Sequence, residues 1–441
     1  MTEQTATSTP MKNLDGTTLE GGGQLLRLAL SLSSLTYIPI QVTNIRGKRG
    51  PISSPGKDGG LKSAHLAAVT WLARATAAET EGMEAKSRNL SFRPTHPKFE
   101  SKDKGASEEH LVGTMNTKYE GLWKDIWEGG KIIRRNSHIP VSTPGSILLV
   151  LQAILPYLLL GPSAFPNNQD SSVPLRISID GGTNVSKSPS IEYVSQVLLP
   201  MLSLRLGIPE ITTVLHKRGW STGGTQIGNV SFDITSLPKM SVLQSFKFEA
   251  RGELIKVHVS ILAPDAKSRG AIRDLVIAQL LALEPEVEIL FPVDENSRQE
   301  KLWYLLLVAE TSGGYRLGRD WLYDHKTKGI KVEETCAKLV SKVIRDLKQE
   351  LSHGGCVDEY MQDQLVVFQS LVDGRATIDA GKQPASLHTK TARWVVEEIL
   401  GVGFDESGGC KGVRFCVGEN FQLREEKVGK AVNGVAEMEI K

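Results

Sequence analysis

A coarse unit of helix, strand and helix recurs three times along the 441 residues, and this repetition limits the possible folds. In the first unit, apolar residues with helical spacing at 24–35 and 65–75 flank a strand-like run at 38–45. The other two units place their elements, in chain order, at 145–159, 175–179 and 191–204, and at 359–371, 376–378 and 388–400. The pattern predicts one large α+β domain built by internal repetition.

Between the second and third units the pattern changes. Strand-like runs cover 246–255, 256–262, 287–291 and 302–308, and helical periodicity covers 268–283 and 332–351. We therefore predict a small α+β domain at 245–352, inserted into a larger domain formed by 1–244 and 353–441. Two further segments, 50–60 and 98–136, are predicted to be surface insertions that are either solvated or in contact with substrate.

Composition excludes several classes of protein. The formal net charge is +2, so any contact with nucleic acid must use a local groove rather than a globally basic surface. The four cysteines form no Cys-x-x-Cys pair, which indicates neither a zinc site nor a disulfide framework and fits a reducing, intracellular compartment. The longest apolar run, 147–160, contains Gln152 and Pro156, and no membrane span or hydrophobic signal core is predicted.

The run at 14–27 is the first candidate site. It places Glu20 before three consecutive glycines and the start of an apolar helix, with Gln24 and Arg27 on one helical face. Glycines let a backbone approach a ligand, and free N–H groups at a helix start attract anions. The spacing matches neither common nucleotide-binding fingerprint, so a tight turn is the alternative. A cationic pair, Arg46 and Arg49, follows the first strand and suits phosphate.

His388 is the candidate nucleophile. It lies where the last predicted helix begins, with Ser386 as a possible N-cap. The positive end of a helix dipole disfavours the imidazolium form, which leaves a neutral ring nitrogen free to attack. The alternative for a lone histidine is a place in a polar surface network.

Three polar residues on one helix complete the candidate set. Tyr360, Asp363 and Gln364 have spacings that place ring, carboxylate and amide side by side, as a base and a ribose would require. Tyr360 could equally be a half-buried aromatic and Asp363 a solvated charge. Gln152 costs stability inside an apolar helix unless it is hydrogen-bonded to a ligand or to a neighbouring loop.

Taken together, these residues resemble the RNA 3′-terminal phosphate cyclase family. The resemblance covers most of the chain except the first dozen residues and the two insertions. It rests on a set of motifs: Leu-Asp-Gly-x-x-x-Glu-Gly-Gly-Gly-Gln-x-x-Arg at 14–27, Ile-Arg-x-x-Arg at 45–49, Leu-Gln-x-x-Leu-Pro at 151–156, Gly-Gly-Thr-Asn at 181–184, Arg-Gly at 251–252, Glu-Tyr-x-x-Asp-Gln-Leu at 359–365, and the histidine segment.

The resemblance implies three repeated units with a small inserted domain, and a ligase-like reaction. ATP would adenylylate His388, AMP would pass to an RNA 3′-phosphate, and the adjacent 2′-hydroxyl would close a 2′,3′-cyclic phosphate. Glu20 would hold Mg²⁺ or Mn²⁺, while Arg46 and Arg49 would contact phosphates. The AMP moiety would be framed by Gln152, Pro189, Tyr360, Asp363 and Gln364. A nuclear location, with cytoplasm possible, is also implied, and no obligatory protein partner is evident.

Some positions depart from the family pattern. Ala64 stands where glutamine is common before His65, the family's Pro-Gly-Leu is split by the 50–60 loop, and a third glycine is missing from 219–225. The main rival prediction is a cyclase-like ribosome-assembly factor, and another is a pure RNA-binding module that uses its arginines for phosphate. Assembly factors of that kind lack the nucleophilic histidine, so His388 favours the enzyme.

Overall fold

The computed structural model describes residues 10–50, 57–95, 127–128, 131–132, 136–161, 174–222, 226–323, 325 and 329–422. Most of the predicted insertion at 98–136, part of the 50–60 loop and residues 223–225 lie outside the described residues. Within the 98–136 segment, β5 (Trp127–Glu128) pairs with β6 (Lys131–Ile132) in antiparallel fashion. No helix among the described residues has the length and apolar character that crossing a membrane requires.

The first two units share one topology. The elements of the first are β1 (Lys12–Asp15), α1 (Gly23–Thr36), β2 (Ile40–Thr43), α2 (Ser63–Ala75), β3 (Glu79–Glu81) and β4 (Leu90–Arg93). Those of the second are β7 (Asn136–Ile139), α3 (Ile147–Leu160), β8 (Leu175–Gly181), α4 (191–206), β9 (Thr212–Lys217) and β10 (Gly228–Ile234). The sheet orders β1-β2-β4-β3 and β7-β8-β10-β9 are equivalent, with one parallel pair followed by antiparallel pairs.

The third unit repeats this order in shortened form. Its elements are β11 (Lys247–Phe248), α7 (Glu359–Leu371), β16 (Arg375–Ile378), α8 (Leu387–Leu400) and β17 (Cys410–Lys411). β11 pairs with β16 in parallel and β17 pairs with β16 in antiparallel fashion. A single bridge from Phe404 to Cys410 stands where the other units have their edge strand. The prediction of one strand over 246–255 is therefore wrong, since residues 247–248 belong to the third unit's sheet.

The chain between β11 and α7 forms a separate layer. Its elements are β12 (Leu254–Ala263), α5 (Ala266–Leu283), β13 (Glu288–Asn296), β14 (Tyr304–Thr311), β15 (Arg316–Leu322) and α6 (Val332–His353). The sheet order is β13-β12-β14-β15. Alternate residues of β14 enter two apolar cores, one shared with α5 and α6 and one shared with the repeated units. The predicted limits of 245–352 for an inserted domain stay a prediction.

Packing explains how these helices form. α3 is apolar on all sides because it is buried by α1 and α2 and also contacts α7. Ser146 caps it by accepting a hydrogen bond from the Leu149 N–H at 3.3 Å. The predicted helix at 191–204 corresponds to α4, which runs through Ile191–Tyr193, a π-helical turn at Val194–Leu198 and Leu199–Leu206. Helix bounds elsewhere lie within a few residues of those predicted.

Candidate active site

The N-terminal ends of six helices are joined in a closed cycle of contacts. The cycle runs from α1 to α2, from α2 to α3, and then through α4, α7 and α8 back to α1. Gly23 lies against His65, and the hydroxyls of Ser63 and Thr143 pair between α2 and the segment before α3. Ser188 bonds to Ser146 at 2.6 Å between α4 and α3, and Tyr193 bonds to Asp358 at 2.7 Å between α4 and α7. Thr389 bonds to Gln362 at 3.1 Å between α8 and α7, and the Glu20 N–H bonds to Thr391 at 3.1 Å, which closes the cycle. Since unpaired N–H groups and helix dipoles make such ends electropositive, the cycle suits an anionic ligand.

Glu20 lies at the link between the first and last helices of this cycle. Its backbone N–H donates to the Thr391 hydroxyl on α8, one turn after His388. The Glu20 side chain is 6% exposed, and its Oε1 accepts a hydrogen bond from Arg49. A Cβ on Gly22 would meet both carboxylate oxygens, so any larger residue there would displace the Glu20 carboxylate from this position. The glycine run therefore makes room for a buried carboxylate.

His388 is the second residue of α8, and its side chain reaches solvent. Ser386 caps the helix by accepting a hydrogen bond from the Thr389 N–H at 3.1 Å, as predicted. Partial desolvation, and then the positive charges of Arg27 and Arg49, lower the pKa of His388 below its usual 6.5, against the opposing effect of Glu359. The ring is thus held neutral near pH 7, the form that a nitrogen nucleophile needs.

Arg27 connects this histidine to the predicted nucleotide residues. Its guanidinium donates to Gln24 Oε1 at 2.7 Å, and burial lowers the pKa of Arg27 to about 10. Asp363 opposes that shift, which shows that the two charges interact. Burial also raises the pKa of Asp363 to about 7, against the effects of a 3.1 Å hydrogen bond from Gln364 and of Arg27. Arg27 is thus hydrogen-bonded to Gln24 and Asp363 to Gln364, and the two pairs interact through the charges of Arg27 and Asp363.

The two arginines of the predicted cationic pair play different parts. Arg49 reaches Glu20 and affects the pKa of His388. Arg46 is buried, and its Nη1 donates to the carbonyls of Asp58 at 2.7 Å and Gly60 at 3.4 Å. Its guanidinium holds the loop that follows β2 as well as adding positive potential, and its contact with phosphate stays a prediction.

The predicted base-binding residues lie near the N-terminal ends of α4 and α7. Pro189 precedes the α4 N-cap, Ser190. Tyr193, in the first turn of α4, meets Tyr360 edge-to-face with ring centroids 5.8 Å apart. Tyr360 is 38% exposed, which leaves ring surface free for stacking.

Gln152 lies on α3, and its Nε2 is buried with no hydrogen-bond partner among the described residues. Pro156, one turn later, has no N–H to donate to the Gln152 carbonyl. An unpaired buried amide is costly, so the group is available to a ligand.

Arg27 belongs to the predicted site at 14–27 but, like His65, has no role in the predictions from sequence, and Asp358 and Arg319 are absent from them. Asp358 carries a sequence signal because it is an N-cap aspartate directly before a predicted helix. Arg319 carries none, since its partners come from distant segments. The Gly-Gly-Thr-Asn motif proves to be structural: the Asn184 amide donates to Glu192 at 2.7 Å.

His65 is buried at the start of α2, where the Lys62 N–H donates to its Nδ1 at 3.3 Å. Burial, and then Arg27, Arg46 and Lys62, lower the pKa of His65 to about 3. The neutral ring therefore carries its hydrogen on Nε2, which a Cβ on Gly23 would approach to 2.7 Å. Ala64 is buried beside Gly145, so this position takes part in the packing of α2 against the segment that leads into α3.

This low pKa predicts a dependence of stability on pH. A histidine whose folded pKa lies below its unfolded value contributes stability above pH 6.5 that is lost as the pH falls below it, because the unfolded chain binds the proton. We expect His65→Asn to reduce the loss in free energy of unfolding between pH 7 and 5.5 by about 1.3 kcal/mol. Urea unfolding at both pH values checks this, and an unchanged loss would contradict it.

A divalent cation fits Glu20 in a limited way. Glu20 Oε2 is buried and has no hydrogen-bond partner among the described residues, so one carboxylate oxygen is free to bind a cation. The described part of the chain holds no group of three or more His, Cys, Asp or Glu side chains that could form a cage. That arrangement suits Mg²⁺ or Mn²⁺ held by one carboxylate, water and substrate phosphates.

The fold and the site thus define an α+β protein in which the N-terminal ends of six helices surround a solvent-accessible histidine. A family model described as RNA 3′-terminal phosphate cyclase matches residues 18–405, and the chain belongs to this family. It is similar to an RNA 3′-terminal phosphate cyclase of Desulfurococcus amylolyticus, with 30% identity over 86% of this chain and 89% of the relative. Proteins of the same name from Nitrosospira multiformis and Drosophila melanogaster are 30% and 29% identical, covering 89% and 91% of this chain and 93% and 97% of their own lengths.

Proposed function

We propose that this protein is an ATP-dependent RNA 3′-terminal phosphate cyclase that works through a covalent histidine–AMP intermediate. One observation supports this above the others: a solvent-accessible histidine at a helix N-terminus, with its pKa lowered by partial desolvation and by two arginines. The relatives carry the name of the cyclases themselves rather than that of a ribosome-assembly factor. A cyclase-like assembly factor without this activity is the alternative.

In the first proposed step, a neutral ring nitrogen of His388 attacks the α-phosphorus of ATP. A nitrogen–phosphorus bond forms, and the bond from the α-phosphorus to the bridging oxygen breaks with departure of pyrophosphate. Arg27 and Arg49, whose charges already act on His388, would balance negative charge on the non-bridging oxygens. A divalent cation on Glu20 would supply further positive charge to the phosphates.

Two further steps would complete the reaction. An oxygen of the RNA 3′-phosphate attacks the adenylyl phosphorus, and the nitrogen–phosphorus bond breaks to release His388. The adjacent 2′-hydroxyl then attacks the terminal RNA phosphorus, loses its proton, and expels AMP to leave a 2′,3′-cyclic phosphate. Activation is needed because a phosphate monoester dianion is a poor target without a good leaving group.

The predicted nucleotide residues would divide their contacts by chemistry. Pro189 and Tyr360 would enclose the base, since both lie at the joined ends of α4 and α7. Asp363 and Gln364 would meet the ribose hydroxyls, and the unpaired Gln152 amide would donate to the nucleotide. We also propose a nuclear location and no obligatory protein partner; cell fractionation tests the former.

Labelling followed by a chase tests the proposal. Incubated with [α-³²P]ATP and Mg²⁺, the wild-type protein should form a covalent adenylate that is labile to acid and stable to alkali. Adding RNA with a 3′-phosphate should discharge the label and yield a cyclic end, while RNA with a 3′-hydroxyl should not. Chelation of Mg²⁺ is the control. Absence of labelling across metals and pH would favour the assembly-factor alternative.

A further inference from the structure

The layer between β11 and α7 contributes one side chain to the candidate nucleotide site. Arg319, on β15, places its guanidinium carbon 4.8 Å from the centroid of the Tyr360 ring. Tyr193 meets the same ring from its edge. With these two contacts made, Tyr360 is still 38% exposed, so surface is left for a ligand.

Arg319 is held in place by carboxylates from two elements. It forms a buried ion pair with Glu350 of α6, which is 1% exposed, and donates to Glu359 of α7 at 3.1 Å. Arg319 itself is 9% exposed. A guanidinium fixed by two carboxylates loses little entropy in stacking on an aromatic ring, and a planar cation over a ring is attractive by up to about 2 kcal/mol when desolvated.

We propose that Arg319 is a positioning residue for the purine base, acting through Tyr360, and that the layer between β11 and α7 thereby determines ATP affinity. This inference rests on the proposed function. Arg319 contacts Tyr360, Glu350 and Glu359, and the role proposed for it requires no contact with the phosphates or the reacting atoms. Its cation polarises the ring and fixes its angle, which prepares a flat surface for stacking.

The chain offers a matched control for this contact. Arg205 of α4 places its guanidinium carbon 3.9 Å from the Tyr315 ring centroid and donates to the Gly313 carbonyl. Among the described residues, the Nε atoms of Arg205 and Arg319 are both buried without a hydrogen-bond partner. Arg205→Met therefore removes a similar guanidinium–ring contact outside the candidate site.

The test measures binding rather than turnover. In a His388→Ala background, equilibrium dialysis gives the dissociation constants of ATP and of inorganic tripolyphosphate, both with Mg²⁺. Because Arg319→Met alone would strand the Glu350 carboxylate, it is also combined with Glu350→Gln. We expect Arg319→Met/Glu350→Gln to raise the dissociation constant of ATP about tenfold and that of tripolyphosphate less than twofold. Arg205→Met should change neither constant.

A double-mutant cycle shows whether Tyr360 mediates the effect. In a Tyr360→Leu background, Arg319→Met/Glu350→Gln should raise the dissociation constant of ATP by less than a further twofold. If the dissociation constants of ATP and tripolyphosphate rise equally, Arg319 acts as a charge on the phosphates. If ATP binding is unchanged, Arg319 has no role in it. Either result overturns the inference. If the His388→Ala protein binds no ATP, the proposed function fails, whatever Arg319 does.

Discussion

Replacing His388 with alanine should abolish covalent labelling by [α-³²P]ATP, reducing it to the background of a reaction without protein. The expectation follows from the chemistry, since no other group can take over a bond that forms at the ring nitrogen. The side chain reaches solvent and lies outside the apolar cores, so the free energy of unfolding should change by less than about 0.5 kcal/mol. Loss of label with an unchanged urea midpoint would identify a chemical role.

A second histidine serves as the control for this experiment. His353, in the last turn of α6, lies outside the cycle of helix ends, and His353→Ala should label at the wild-type rate. Label that persists in His388→Ala, with the same acid lability, would overturn the assignment of the nucleophile. It would leave the family membership untouched.

The largest effect on stability is expected at Asp358. This carboxylate is 0% exposed and accepts four hydrogen bonds. The donors are the N–H groups of Tyr360, Met361 and Gly318 and the hydroxyl of Tyr193, at 3.0, 2.8, 2.7 and 2.7 Å. Asp358→Ala would remove all four bonds, although the Met361 N–H would keep a second acceptor, the backbone carbonyl of residue 358 at 3.2 Å. We expect a loss of about 4 kcal/mol in the free energy of unfolding, measured in urea.

Asp265 provides the comparison. It caps α5 at an exposed position by accepting a hydrogen bond from the Ser268 N–H at 2.8 Å, so Asp265→Ala should cost only about 1 kcal/mol. If Asp358→Ala is too unstable to measure, Asp358→Asn replaces it in the experiment. This variant keeps one acceptor oxygen, so its loss in free energy of unfolding should lie between those expected for Asp358→Ala and Asp265→Ala. A loss at Asp358 no larger than that at Asp265 would show that the joint between α4 and α7 is not a source of stability.

The helices were predictable because their signals are local. α7 and α8 show apolar periodicity and a capping residue, and the predicted bounds of both agree with the structure to within a residue. The strands were harder. β3, β4 and β17 contain two to four residues, too few for alternation to stand out, and β11 is recognisable only through its pairing with β16, more than a hundred residues later.

The candidate site could be located only in part from the sequence, for a similar reason. Glu20 could be singled out because three glycines mark its surroundings, and His388 because a helix begins there. The burial that lowers the pKa of His65 and raises that of Asp363 depends on neighbours from other units, and no spacing encodes it. Arg319 falls in the same class, since its stacking on Tyr360 joins strands and helices distant in sequence.

The bond between the Glu20 N–H and Thr391 spans 371 positions of the chain, and this has a consequence for biosynthesis. A ribosome delivers about 5–20 residues per second, so the glycine loop waits many seconds before its partner helix is made. Until then the first unit carries only part of the proposed phosphate-binding surface, and a nascent or prematurely terminated chain lacks the proposed nucleophile, His388. A chain ending before α8 should therefore not consume ATP.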